Sequence, residues 1–160
     1  ARRFSFDPLT QTYTRTVIRS SAYIFVHPDW WGGPPAILKG FIDRVFRAGV
    51  AYEWRENHAG EAEPVPLLTH RQAAVLVTSD AENPAESIHS GWDAVFRYCG
   101  IGESVLRVFG PVHGSTLAER RRWLDEAAHV VSEWVWKGGE HEGTAGVQTC
   151  EGGKAQRDEV

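Results

Sequence analysis

The stretch that decides the fold is VHPDWWGGPPAILKGFIDRVFRAGVAYEW, residues 26–54. It follows an apolar run over residues 22–26, which predicts a buried strand. Pro34 and Pro35 suit the first turn of a helix. The spacing i, i+3, i+4, i+7 then predicts one apolar helix face. Its members are Leu38, Phe41, Ile42 and Val45. A strand therefore runs directly into a helix, and the loop between them carries two indoles and two glycines.

This strand-to-helix loop is a candidate ligand site, because ligands of open α/β sheets bind at the carboxyl ends of strands. Gly32 and Gly33 let backbone N–H groups approach a planar ligand. Trp30 and Trp31 can form an aromatic wall. The helix start adds N–H donors and partial positive charge, which favour an anionic ring such as a reduced flavin. A surface loop whose indoles cap the core explains the same residues equally well.

Ordered runs of residues, rather than one glycine motif, carry a resemblance to a known family. They are Pro28, Trp31, Gly33, residues 35–40, Arg44, Ala51, Tyr52, Thr78, Ser79 and residues 98–100. Through them the chain resembles the flavodoxin-like NAD(P)H:quinone oxidoreductases, the family of DT-diaphorase and the bacterial modulator-of-drug-activity proteins. The likeness covers residues 7–136. It implies a twisted parallel sheet, a homodimer, and a flavin, FAD or FMN, at the carboxyl edge of the sheet.

The resemblance also implies roles for individual residues. The flavin-binding candidates are His27, Pro28, Asp29, Trp30, Trp31, Gly32, Thr78, Ser79 and Asp80. Tyr52 and Trp54 resemble an aromatic pair that the family places over the partner subunit's flavin, where a quinone binds. Core packing explains that pair equally well, and the loop after Thr78 is also a plausible turn. His89 is the candidate catalytic residue, although it follows Thr78 at a shorter spacing than the family has.

Composition restricts the function classes. The chain has 160 residues, enough for one domain with a core, and a formal net charge of -4, which gives no reason to expect nucleic acid or an anionic membrane as a partner. No apolar run approaches the ~18 to 20 residues of a membrane span. Cys99 and Cys150 show no metal or redox spacing, and the histidines form no zinc pattern. We therefore expect a cytoplasmic protein without a bound metal.

Periodicity predicts the remaining elements. Asp7 and Pro8 favour a helix start, and that helix should reach about Arg19. Strands are predicted near residues 22–27, 73–78 and 104–109, and helices near residues 34–48, 86–98 and 116–136. Pro64 and Pro66 argue against regular structure in residues 55–66. The glycine-rich segment 137–160 is predicted to be a disordered tail.

This alternation of strands and helices predicts a flavodoxin-like three-layer α/β sandwich with a parallel sheet. The family's first strand, phosphate-binding turn, helix and second strand have no recognisable counterpart before Asp7. The predicted domain, residues 1–136, therefore lacks the N-terminal β-α-β portion, and the strand at residues 22–26 becomes an open apolar edge. Either the sequence is a fragment, or it is a shortened member that covers the edge in another way.

Two functions are open on this evidence. In the first, NAD(P)H reduces a bound flavin, which then reduces a quinone or similar acceptor in a ping-pong cycle. In the second, a flavin-free domain acts as a non-catalytic interaction or regulatory protein. The missing phosphate turn favours the second, and the Trp-Trp-Gly-Gly loop at residues 30–33 favours the first.

Overall fold

The computed structural model of the protein describes residues 7–81 and 85–137. The elements follow in the order α1 (Pro8–Arg19), β1 (Ala22–Pro28), α2 (Ala36–Val45), β2 (Tyr52–Glu56), β3 (Ala62–Pro66), β4 (Gln72–Thr78), α3 (Ala85–Cys99), β5 (Glu103–Phe109) and α4 (Leu117–Lys137). The predicted strands and helices are all present. The tail expected to be disordered lies, from residue 138 onward, outside the described residues.

The main sheet is parallel, with the strand order β1-β4-β5. Pro28 lies opposite Thr78, and Thr78 lies opposite Phe109, so all three strands end on one line. This pairing confirms the predicted parallel sheet. Within the described residues β1 is the outer strand, which also confirms the predicted open edge. Ile24 and Val26 project from its exposed face, and 71% of Val26 is solvent-exposed.

The core lies on the other face of the sheet, between the strands and helices α2 and α3. Strand β4 is buried on both faces, as expected of a central strand in a parallel sheet. The ring of Phe25 packs 4.6 Å from that of Trp92 and 6.2 Å from that of Phe46. Helix α4 covers part of the opposite face, where Trp123 stacks near Phe109.

Side-chain caps fix the starts of α1 and α4, and the cap of α1 is the one predicted at Asp7. The Asp7 carboxylate accepts from the Thr10 amide at 3.0 Å, and Thr116 and Glu119 form a reciprocal capping box. The bonds from Thr10 lower the pKa of Asp7, and those from Thr116 lower the pKa of Glu119. Both caps therefore contribute stability above the ordinary carboxyl range, and this contribution is lost as the pH falls through the lowered pKa values.

The prediction that residues 55–66 lack regular structure is wrong. Strands β2 and β3 form an antiparallel hairpin, with Trp54 opposite Pro64 and Tyr52 opposite Pro66. The Leu67 amide donates to the Ala51 carbonyl, so residues 51 and 67 form a hydrogen-bonded pair. In an antiparallel ladder every second pair is hydrogen-bonded, so the pairs that contain Pro66 and Pro64 are not. Both prolines therefore occupy non-bonded positions, where their nitrogens point away from β2 and the missing N–H costs no ladder bond.

Helix α2 is shorter than the predicted residues 34–48. Pro35 caps it without a side-chain hydrogen bond, and Phe46 leaves the helical conformation with ψ 62°. A tight turn with Gly49 at φ 80° then leads towards β2. Within the described ranges, no helix is long and apolar enough to cross a bilayer.

We predict that Gly100→Ala destabilises the fold. Gly100 ends α3 at φ 83°, and an added Cβ would lie 2.5 Å from the Pro66 Cβ. The left-handed backbone and the overlap should together lower the free energy of unfolding by about 2 to 4 kcal/mol in urea denaturation. Gly102→Ala is the control, because its Cβ would meet nothing within 4 Å. Equal stability of the two variants would contradict this account of the α3 terminus.

Candidate functional site

Three loops meet where the parallel strands end. The Asp29 amide donates to the Thr78 carbonyl at 2.7 Å, which joins the loop after β1 to the end of β4. The Ser79 amide donates to the Phe109 carbonyl at 3.0 Å, and the Val112 amide donates to the Ser79 carbonyl at 3.3 Å. The loops after β1, β4 and β5 are therefore tied together through their backbones.

The Asp29 carboxylate adds a side-chain link between two of these loops. Its Oδ1 accepts from the Gly32 amide at 2.8 Å, and its Oδ2 accepts from the Ser79 hydroxyl at 2.8 Å. The Ser79 Oγ also accepts from the Ala81 amide at 3.1 Å. In the same loop as Ser79, the Asp80 carboxylate accepts from the His113 amide of the loop after β5. Both acidic side chains thus hold backbone amides.

The Trp-Trp-Gly-Gly segment is a tight turn that pushes one indole into solvent. Trp30 and Gly33 exchange two backbone hydrogen bonds, at 2.9 and 3.3 Å. Between them, Trp31 has φ 60° and Gly32 has φ 82°. A left-handed conformation is costly for a bulky residue such as tryptophan. The Trp31 side chain is fully exposed, and Trp30 is 61% exposed.

These residues enclose an open cleft of about 440 Å³. Its lining is Asp29, Trp30, Trp31, Gly32, Ser79, Asp80 and Ala81. Six of these seven residues are flavin-binding candidates from the sequence, so the fold brings most of the predicted set together. The amides of Trp31 and Asp80 donate to no acceptor in the described part of the chain. Both amides belong to residues that line the cleft.

His27 does not lie in this cleft. Only 4% of the residue is exposed, on the core side of β1. Its Nδ1 contacts the Pro28 carbonyl at 2.8 Å, and its Nε2 lies 3.2 Å from the Trp92 indole nitrogen. Because a carbonyl only accepts, Nδ1 carries the proton and Nε2 accepts from Trp92. The structure therefore places His27 in the core, as an anchor of the strand end.

The other candidates lie apart from the cleft. Thr78 lines an apolar groove of about 480 Å³ between the sheet and α4, and Pro28 is exposed at the strand end. Tyr52 packs edge-on against Tyr98 with a ring separation of 4.7 Å, beside a different cleft between α2 and α3. Trp54 is 55% exposed on the hairpin. His89, on α3, is exposed and does not line the strand-end cleft.

The described part of the chain shows neither a metal-binding cluster nor a reactive thiol. Residues 7–81 and 85–137 contain no group of three or more His, Cys, Asp or Glu side chains placed to hold a metal ion. Burial raises the pKa of the Cys99 thiol to about 11, so this thiol stays protonated and unreactive near neutral pH.

Two contributors to the site were not predicted. The His113 amide and Gly110 both come from the loop after β5. A Cβ at Gly110 would lie 2.2 Å from the Ser79 carbonyl oxygen, so only glycine allows this close approach. In the sequence, the only sign of this contact is that Gly110 directly follows the predicted strand, and this sign does not reveal that Gly110 approaches Ser79.

A family model for the flavodoxin-like fold matches residues 3–133. The chain belongs to this flavodoxin-like family. It is 33% identical over 120 residues to an uncharacterized NAD(P)H oxidoreductase of Haemophilus influenzae, a match that covers 70% of this chain and 57% of the relative. The chain thus spans little more than half the length of that protein.

Two further comparisons agree with this family. An FMN-dependent NADH:quinone oxidoreductase of Coprothermobacter proteolyticus is 30% identical over 70 residues, which cover 44% of this chain and 32% of the relative. The crystal structure of Smu.1420 from Streptococcus mutans UA159 superposes with a TM-score of 0.67 at 26% identity, and the match covers 78% of this chain and 66% of that one.

We predict that Trp92→Phe destabilises the protein through His27. Phenylalanine keeps a ring beside Phe25 but removes the N–H, which leaves the His27 Nε2 buried without a donor. The free energy of unfolding should fall by about 1 to 3 kcal/mol. Trp123→Phe is the control, because its indole N–H has no acceptor within the described residues. If chemical denaturation gives equal losses for both variants, the His27 anchor is not the cause.

Proposed function

We propose that the protein is part of a flavin-dependent NAD(P)H oxidoreductase that reduces quinones or similar acceptors. The observation that carries this proposal is the strand-end cleft, which holds an exposed indole in a strained turn beside two available amides. An aromatic side chain held in solvent in this way is suited to a planar ligand. Family membership and the names of the relatives support the same chemistry.

The cleft fits the ring of a flavin. The Trp31 indole offers a face for stacking, and the amides of Trp31 and Asp80 can donate to ring carbonyls. A bound flavin would supply hydride transfer, which no side chain of the protein provides. The protein's own part is to hold the ring, orient it and limit access of water. Of the two flavins, FMN is supported by the name of the Coprothermobacter relative.

The cleft does not fit the phosphate of a flavin nucleotide. Among the residues that the structure describes, its lining contains two carboxylates and no cationic side chain. Helix α2 begins only at Ala36, after Pro34 and Pro35, which have no N–H, and its first turn is not part of the cleft lining. We infer that the 160-residue chain holds the ring and that the phosphate is held by residues beyond this cleft. Flavin affinity of this chain alone should accordingly be low.

The acceptor would bind between the flavin ring of one subunit and side chains of a second subunit. We propose a homodimer in which Tyr52 and Trp54 of one subunit approach the other subunit's cleft, with His89 nearby. The support is the edge-to-face aromatic pair on the hairpin, with ring centroids 6.2 Å apart, in which Trp54 is exposed and Tyr52 is half-buried. Light scattering tests this assembly, since a particle mass of 17.9 kDa at high concentration would leave no partner subunit to complete the pocket.

In the proposed cycle, NAD(P)H reduces the flavin and leaves before the acceptor binds. If NAD(P)H and the acceptor both use the strand-end cleft, they would occupy it in turn, which favours a ping-pong order. Initial rates at several fixed acceptor concentrations test the order, because a ping-pong cycle gives parallel double-reciprocal lines and a ternary complex gives converging lines.

We predict that Trp31→Ala weakens flavin binding. Loss of the stacked indole should raise the dissociation constant of riboflavin or FMN at least about tenfold, which corresponds to about 1.4 kcal/mol. Titration of flavin fluorescence measures this change. Leu117→Ala, which truncates an exposed apolar side chain on α4, is the control and should bind like the parent. If the Trp31 variant binds flavin with the affinity of the parent, the flavin ring does not bind at this loop.

A further inference from the structure

The polar groups of Asp29 and Ser79, two flavin-binding candidates, are already engaged with each other. The carboxylate of Asp29 uses one oxygen for the Gly32 amide and the other for the Ser79 hydroxyl, both at 2.8 Å. Ser79 is 4% exposed, and its hydroxyl also accepts from Ala81. These groups are therefore built to hold the two loops together, rather than to reach a ligand.

The turn that Asp29 holds contains the strained residue of the site. Trp31 and Gly32 both have positive φ, and only glycine adopts this conformation without cost. The Asp29–Gly32 bond spans the turn from i to i+3, so it closes the loop around Trp31. Without this bond, the turn is held only by the two backbone bonds between Trp30 and Gly33, so Trp31 is freer to relax to negative φ and to move its indole and amide from their present positions.

We propose that Asp29 is a positioning residue, whose carboxylate locks the loop of residues 29–33 to the loop of residues 79–81 and so fixes Trp31 against a bound flavin ring. The proposal rests on the proposed function and deepens it. Asp29 acts through Gly32 and Ser79, which lie 3 and 50 positions away in the sequence. The action depends on hydrogen bonds and not on the negative charge itself.

Three variants separate these possibilities. Asp29→Ala removes both Asp29 bonds, whereas Ser79→Ala keeps the Gly32 bond and removes the side-chain link between the loops together with the bond from the Ala81 amide. Asp29→Asn preserves the shape of the side chain, because its amide can accept from the Gly32 amide and donate to the Ser79 oxygen. Asp43→Ala is the matched control, since it removes an exposed carboxylate that pairs with Lys39 on α2.

The first measurement needs no flavin. Amide hydrogen exchange by NMR should show the Gly32 amide exchanging at least about tenfold faster in Asp29→Ala, because its acceptor is gone. Asp29→Asn and Asp43→Ala should exchange like the parent. Unchanged protection of Gly32 in Asp29→Ala overturns the proposal, whatever the chain does with flavin. If Asp29→Ala does not fold, Ser79→Ala takes its place in the flavin measurements below, and parental behaviour there overturns the proposal.

The second measurement uses riboflavin and FMN. Asp29→Ala should weaken binding about tenfold or more, the double variant Asp29→Ala/Ser79→Ala should bind no more weakly than Asp29→Ala, and Asp29→Asn should restore most of the affinity. At saturating flavin, the bound ring should fluoresce more strongly in Asp29→Ala, because Trp31 no longer quenches it at contact. A general loss of stability does not change this saturated signal.

The outcomes distinguish the two claims. If the parent binds flavin and Asp29→Ala binds and quenches it equally well, the positioning role is wrong and the proposed function stands. If the parent chain shows no flavin binding at millimolar flavin, the proposed function fails and the flavin-positioning role fails with it. Faster Gly32 exchange together with weaker, less quenched flavin in Asp29→Ala, restored by Asp29→Asn, supports both.

Discussion

The register of the parallel sheet is the constraint on which the site depends. Because Pro28, Thr78 and Phe109 lie opposite one another, the three strands end on one line and their loops leave the sheet together. Strand β4 sits in the middle, buried on both faces, so its register cannot slip without moving apolar side chains to the wrong face. The Ser79 backbone, bonded to the end of β5 and to Val112, continues this alignment into the loops.

At the aligned strand ends, some polar groups make hydrogen bonds within the protein and others can contact a ligand. The imidazole of His27 accepts a hydrogen bond from Trp92. The carboxylate of Asp29 accepts from the Gly32 amide and from the Ser79 hydroxyl. What remains is the two exposed indoles of Trp30 and Trp31 and two amides with no acceptor in the described residues, which are groups that recognise a flat ring with carbonyl edges. The division explains how a turn with a strained tryptophan persists on the surface, since the surrounding bonds fix its geometry.

Much of this architecture could be predicted from the sequence, because apolar runs and helical spacing report burial directly. Tyr23, Phe25 and His27 alternate along β1 and so share its core face, but the apolar run did not indicate a face for His27, and its place next to the ligand loop favoured the cleft instead. The hairpin was not predicted because Pro64 and Pro66 argue against a strand in the sequence. Only the strand register shows that both prolines lie in pairs that need no N–H donor. The bond between Asp29 and Ser79 joins residues 50 positions apart, and no local pattern encodes such a contact.

The most direct test of this account is where a flavin touches the protein. Backbone amide spectra of the ¹⁵N-labelled chain, recorded during titration with riboflavin, report on all residues except the prolines at once. We predict the largest shifts at the Trp31 and Asp80 amides, with smaller changes at Gly32 and Ala81. Shifts centred instead on the apolar groove near Trp123 and Leu124, with the strand-end loops unchanged, would contradict the site.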